Sequence, residues 1–170
     1  SGANEGSHYL YIESSGNGSG YPNKTATITS SCIEPSSGDA LTFDYHMYGS
    51  NMGSLYVEVK TETVGWTKLW SKAGNQGNSW ETATVYLSDY VDEVIKLRFR
   101  GVTGTSYRSD MAIDNIRILE SLCTSDPLAT PIQESLDTNL GIWSQNTDDN
   151  IDWTIKSGST SSSGTGPSGA

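Results

Sequence analysis

The sequence of 170 residues has little positive charge and no long apolar run. Ten Lys and Arg stand against 20 Asp and Glu, which gives a net charge of −10 at pH 7. Nucleic-acid binding needs a cationic surface that neutralises phosphates, so this shortage argues against a nucleic-acid partner. No apolar stretch approaches the roughly 20 residues that cross a bilayer, and we therefore expect no membrane insertion.

Residues that commonly carry catalysis are also scarce. His8 and His46 are the only histidines that could act as bases near neutral pH, and neither lies in a catalytic motif. The sequence contains no G-x-S-x-G, H-E-x-x-H, P-loop or G-x-G-x-x-G pattern. We therefore expect a protein that is not an enzyme.

Short segments of alternating apolar and polar residues are abundant. This period of two is typical of β-strands with one buried face. Residues 95–100 show it most clearly, and it recurs in 8–13, 41–47, 55–60 and 111–118. Turns rich in Gly, Asn and Ser separate these segments. The pattern predicts an all-β fold, an antiparallel β-sandwich of the jelly-roll type.

The composition changes after Leu119. Residues 121–132 are typical of a linker, and residues 133–170 form an acidic stretch followed by a tract of Ser, Thr and Gly. The chain ends in Ser-Gly-Ala and also begins with Ser-Gly-Ala, which indicates a tandem repeat. Residues 133–170, called the tail here, therefore differ in composition from the strands before them.

Taken together, the segments resemble the MAM domain, a family of extracellular β-sandwich modules. The resemblance covers most of the chain and is carried by residues 9–13, 41–49, 52–57, 69–70, 74–80, 97–101 and 110–116. The opening segment of the family is similar to residues 134–167, which here come last. The vertebrate pattern has four cysteines and this chain has two, which favours a MAM domain of bacterial type.

This order of segments implies a module built from parts of two consecutive repeats. Residues 1–120 then hold the later three quarters of one module, 121–132 the linker, and 133–170 the first segment of the next. That last segment either completes the sandwich in the same chain, as in a circular permutant, or pairs with a neighbouring chain in a strand-swapped oligomer. A monomer by permutation is the preferred interpretation.

Asp114 is the most informative acidic residue. It alternates in step with Ala112 and Ile116, so we expect it to point toward the apolar face, where a carboxylate must be hydrogen-bonded, paired or metal-bound. The resemblance implies a structural calcium ion, Ca²⁺, held by carboxylates at the positions of Asp114 and Asp137. The alternative is a hydrogen-bonded Asp114 without a metal.

The two cysteines, Cys32 and Cys123, form an even pair. The extracellular class that the resemblance implies permits a disulfide between them. Two unpaired thiols are the alternative.

Five tyrosines are candidate platforms for ligand binding, because sugar rings stack on exposed aromatic faces. They are Tyr9, Tyr11, Tyr48, Tyr56 and Tyr107. The alternative is that the tryptophans fill the core while surface tyrosines simply suit strands.

The resemblance implies a secreted or cell-surface module for adhesion or interaction, with a protein or a glycan as the partner. A carbohydrate-binding module that brings a secreted hydrolase or protease to polysaccharide is the second hypothesis. Both hypotheses describe a non-catalytic protein.

Overall fold

A computed structural model describes residues 2–15, 18–119, 132–134 and 136–168. Within these ranges the chain forms eleven strands and a short 3-10 helix (Ser88–Tyr90). The strands are β1 (Tyr9–Ile12), β2 (Thr25–Ser30), β3 (Ala40–Met47), β4 (Ser54–Thr61), β5 (Thr67–Ala73), β6 (Glu81–Tyr86), β7 (Ile95–Val102), β8 (Met111–Leu119), β9 (Ile132–Glu134), β10 (Trp143–Gln145) and β11 (Thr154–Lys156). No helix in these ranges is long and apolar enough to cross a membrane.

The strands form two antiparallel sheets. The first sheet has the order β11-β1-β8-β3-β6, and the second has the order β10-β2-β7-β4-β5. The length of β8 allows it to pair with β1 through residues 111–113 and with β9 through residues 116–118. The predicted all-β antiparallel sandwich is confirmed.

The core lies between the sheets and follows from the alternation of the strands. Phe43 of the first sheet meets Phe99 and Trp70 of the second, with ring centroids 4.9 and 5.1 Å apart in edge-to-face geometry. Each such aromatic pair contributes about 0.5–1.5 kcal/mol beyond the burial of its area. Trp143 and Trp153 from the tail complete this core.

The alternation of β8 breaks at Asn115, which adopts a positive φ of 50°. The register between β3 and β8 shifts at this place, so that Ile113 and Ile116 both reach the core. Asp114 therefore faces the outer side of the sheet, where it is the register partner of Asp44. The expectation that Asp114 points toward the apolar face is wrong, because the bulge inserts one residue and resets the alternation.

The tail contributes an edge to each sheet. β9 pairs with β8, β10 pairs with β2 and β11 pairs with β1, all within one chain. Trp143, the first residue of β10, and Trp153, directly before β11, are both buried. Residues 121–131, the main part of the predicted linker, lie outside the described residues.

Candidate functional site

The outer face of the first sheet is covered by other parts of the chain. Tyr9 is 0% exposed, and its ring meets those of Tyr11 and Trp80 at 6.1 and 5.8 Å. The Tyr9 hydroxyl donates to the carbonyl of Gly158, and the indole N–H of Trp80 donates to that of Gly2. Burial raises the pKa of Tyr11 to about 12. Tyr9 and Tyr11 therefore present no open face, in contrast to the exposure that the alternation predicted.

Two carboxylates lie beneath this cover. Asp114, which is 1% exposed, accepts backbone N–H groups from Asn4 and Glu5 at 2.7 and 2.9 Å and from Asn115 at 2.7 Å. Asp44 accepts the side-chain amides of Asn4 and Asn115 at 2.7 and 3.0 Å. Burial raises the pKa of Asp114, and the three backbone donors oppose that effect. Asp114 thus fixes the N-terminal segment onto β8.

Asp137 holds the other end of the same segment. Its Oδ1 accepts the backbone N–H and the hydroxyl of Ser7 at 2.9 and 2.8 Å, and the backbone N–H of His8 at 3.1 Å. The imidazole Nδ1 of His8 lies 3.1 Å from the same oxygen. The donors of Ser7 and His8 hold the pKa of the exposed Asp137 well below its usual range. The two predicted carboxylates therefore contact one segment, residues 4–8.

Both oxygens of Asp114 accept backbone N–H groups in this arrangement. Calcium takes about six to eight oxygen ligands. Among the described residues, no group of three or more His, Cys, Asp or Glu side chains is placed to hold a metal ion. The calcium site that the resemblance implies at Asp114 and Asp137 therefore stays a prediction.

Tyr48 lines a cleft of about 470 Å³ that the tail builds. The rest of the wall comes from Asn78 and from residues 159–168, which carry several Ser and Thr hydroxyls. The Gly166 N–H donates to the carbonyl of Tyr48 at 3.0 Å, and Thr165 bridges to Gly49. The cleft is therefore a fixed part of the fold, with one aromatic ring and many hydroxyl groups.

Tyr56 is partly exposed on the outer face of the second sheet. The guanidinium of Arg100 stands 4.0 Å over its ring, and that of Arg98 stands 4.2 Å over the ring of Trp66. Both arginines donate to the carboxylate of Glu58, with the shortest contacts at 2.6 and 2.8 Å. One face of each of these two rings is therefore occupied by a guanidinium group.

The cluster of Arg98, Arg100 and Glu58 is not predicted from the sequence. The alternation of 95–100 placed both arginines on one face of a strand, but the sequence did not show which strand lies beside them. In the structure β7 pairs with β4, and Glu58 is the register partner of Arg98. The missing information was the order of the strands.

Tyr107 and Cys32 are the remaining predicted residues that the structure describes. Tyr107 is 39% exposed, and the Nε–H of Arg108 donates to its hydroxyl at 3.1 Å. Cys32 is exposed and lies two residues after the end of β2. Cys123 lies outside the described residues, so the disulfide stays a prediction.

Comparison with known proteins shows the family. The family model of the MAM domain (meprin/A5/mu) matches residues 1–124. Human MAM domain-containing glycosylphosphatidylinositol anchor protein 2 is 38% identical over 103 residues, which are 59% of this chain and 10% of that protein. Chicken MAM domain-containing glycosylphosphatidylinositol anchor protein 1 is 38% identical over 90 residues, which are 52% of this chain and 9% of that protein.

The match to a third relative covers a larger share of this chain. Human MAM domain-containing protein 2 is 34% identical over 118 residues, which are 68% of this chain and 16% of that protein. The match thus spans a small part of each relative. Since the family model covers well over half of the sequence, the chain belongs to the MAM domain family.

Proposed function

We propose that this chain is a non-catalytic adhesion or interaction module and that it binds a protein partner. As a MAM domain it is extracellular. The observation that carries the proposal is the partly exposed outer face of the second sheet, where Arg98, Arg100 and Tyr56 are fixed on paired strands. Such an ordered surface of arginine and aromatic side chains is typical of protein interfaces.

The histidines support a non-catalytic role. His46 is buried, its Nε2 lies 3.2 Å from the Asn78 amide oxygen, and burial lowers the pKa of its imidazole. His8 contacts Asp137 and holds the N-terminal segment. Both imidazoles therefore have structural partners.

The proposal is tested by adhesion of beads coated with the folded chain to cultured cells. Binding should be lost when the cells are first treated with trypsin and kept when they are treated with glycosidases. Beads coated with heat-unfolded chain are the control. Binding that survives trypsin and disappears after glycosidase treatment contradicts a protein partner.

The second candidate function is carbohydrate binding, and the Tyr48 cleft favours it. A cleft with one aromatic ring and several hydroxyl donors suits a sugar, which stacks by one face and forms hydrogen bonds at its edges. A polysaccharide panel should then show saturable binding that Tyr48→Ala removes and that Tyr86→Ala, a change of an exposed tyrosine outside the cleft, leaves intact. Repeating the panel in calcium and in chelator tests the predicted ion. An absence of binding in both solutions excludes this candidate.

We also propose that residues 133–170 complete the sandwich within the chain and do not exchange with a neighbour. The pairing of β9, β10 and β11 with β8, β2 and β1 supports this arrangement. The tail is tethered to its own sheets, which favours pairing in the same chain at low protein concentration. Light scattering should give the mass of a monomer, whereas a stable dimer at micromolar concentration contradicts the proposal.

A further inference from the structure

We propose that the outer face of the second sheet docks an acidic, extended segment of the partner protein. The surface, called here the basic strip, consists of Lys60, Lys68, Lys96, Arg98 and Arg100. The inference rests on the proposed function, since it names the chemistry of the partner and the place where that partner binds.

The basic strip concentrates positive charge in an acidic chain. It holds five of the ten Lys and Arg residues of a chain whose net charge is −10. The five strands of the second sheet contain a single carboxylate, Glu58. Such a local excess of one sign attracts a partner of the opposite sign and sets its orientation.

Among the described residues, the lysines of the basic strip form no ion pair, although Glu58 is the register partner of Lys68. Lys60 and Lys96 are exposed and are register partners on β4 and β7. Like charges directly opposite each other on neighbouring strands are destabilising. Among the described residues, no carboxylate lies within 4.0 Å of either ammonium or of Lys68. An acidic partner would remove this repulsion.

The arginines are already held in place. Arg98 and Arg100 lie on Trp66 and Tyr56 and share Glu58, yet their side chains remain 17% and 26% exposed. Because one carboxylate serves two guanidinium groups, the trio keeps a net positive charge. Fixed side chains lose little conformational freedom when they bind, which favours association.

The spacing of the cations fits a polypeptide. Lys96, Arg98 and Arg100 are alternate residues of one strand, so they repeat every 6–7 Å or so, which is also the repeat of alternate side chains in an extended peptide. One face of Tyr56 and one face of Trp66 are already occupied by guanidinium groups, which leaves less ring surface for sugars. A long polyanion would also extend beyond the strip over an acidic molecule, whereas a short acidic segment would not.

Binding of a fluorescein-labelled peptide of about 12 residues, in which Glu and Thr alternate, tests the inference. The strip variant carries Lys60→Gln, Lys68→Gln and Lys96→Gln. The matched control carries Lys24→Gln, Lys72→Gln and Lys156→Gln, which are the other three lysines and give the same change in net charge. A heparin oligosaccharide is the parallel probe for a glycan.

We expect the peptide to bind the wild type and the control alike and the strip variant about tenfold more weakly, because three exposed charge pairs are lost. Equal weakening in both variants, or no binding of the peptide, overturns the inference. Strip-dependent binding of heparin alone also overturns it. If the strip variant keeps the trypsin-sensitive adhesion of the wild type to cells, the inference about the basic strip is wrong and the proposed function stands.

Discussion

The two sheets of this sandwich have opposite outer faces. On the first sheet Asp44 and Asp114 are almost fully buried beneath residues 2–8. On the second sheet the side chains of Arg98 and Arg100 stay 17% and 26% exposed, and Lys60, Lys68 and Lys96 are exposed. A carboxylate is a compact acceptor that backbone N–H groups can satisfy, whereas a long cationic side chain keeps its charged end in water. The comparison shows how an acidic chain can bury its negative charge and expose its positive charge.

The largest effect on this comparison should come from deleting residues 121–170. The deletion removes β9, β10 and β11 and exposes Phe99, whose ring packs 5.1 Å from that of Trp143. Loss of a buried aromatic side chain costs about 3–5 kcal/mol, and the deletion removes two tryptophans from a domain of typical stability about 5–15 kcal/mol. We therefore expect circular dichroism to show no cooperative melt.

The control for this deletion is to add the missing segment back as a separate peptide. A separate peptide of residues 132–168, added to the truncated chain, should restore a cooperative melt by supplying the missing edges. A truncated chain that melts at the temperature of the full chain would contradict the structural role of the tail.

The next largest effect should follow Asp114→Ala, which breaks the cover of the first sheet. The change leaves the backbone N–H groups of Asn4, Glu5 and Asn115 without their acceptor. Unsatisfied buried donors cost free energy, and we expect the free energy of unfolding to fall by about 3 kcal/mol. Urea denaturation measures it. Asp148→Ala, at an exposed acidic residue, should change it by less than about 0.5 kcal/mol, and equal effects would refute the role of Asp114.

Asp110, directly before β8, makes the stability of the fold depend on pH. It is fully buried, accepts the backbone N–H and hydroxyl of Ser14, and lies near Glu13; burial raises its pKa to about 6. The folded protein therefore binds a proton more tightly than the unfolded chain. The contribution of Asp110 to stability rises as the pH falls from about 7 toward 4.

The variant Asp110→Asn isolates this effect, because its amide stays uncharged at every pH. Relative to the wild type, we expect it to be more stable by about 2 kcal/mol at pH 7.5 and equally stable near pH 4. Paired urea titrations at the two pH values measure the difference. A difference that does not change with pH would show that the carboxyl does not titrate in this range.

The smallest effect concerns the second sheet. Lys96→Glu replaces a repulsion with Lys60 by an attraction across β4 and β7. We expect the free energy of unfolding to rise by about 0.5 kcal/mol at low salt and to return to the wild-type value in 1 M or so NaCl. Lys156→Glu makes the same change in charge outside the basic strip, and a gain of the same size there would indicate a general charge effect.

Much of the fold could be predicted because strand alternation is local. Residues 41–47 and 95–100 are strands whose apolar side chains lie in the core, as their patterns indicate. The orientation of Asp114 could not be predicted in this way. A single bulge at Asn115 reverses the alternation, and the pattern contains no signal that marks the extra residue.

The site residues were harder to predict than the strands. Tyr9 and Tyr11 share the pattern of exposed strand residues, but Trp80 and the N-terminal segment cover them. Tyr48 became part of a cleft only because residues 159–168 return to it. In each case the neighbour comes from a distant part of the chain, which a local pattern does not reveal.

The sequence by itself determined the all-β class, the family and the strands β1, β3, β4, β7 and β8, because alternation and motifs are written in consecutive residues. The tertiary structure decided which outer face buries its carboxylates and which keeps exposed cations. That decision depends on the order of strands and on where residues 2–8 and the tail pack, and the free energy of such contacts is shared between residues far apart in the chain. The contrast between buried carboxylates and the basic strip is therefore a property of the folded molecule.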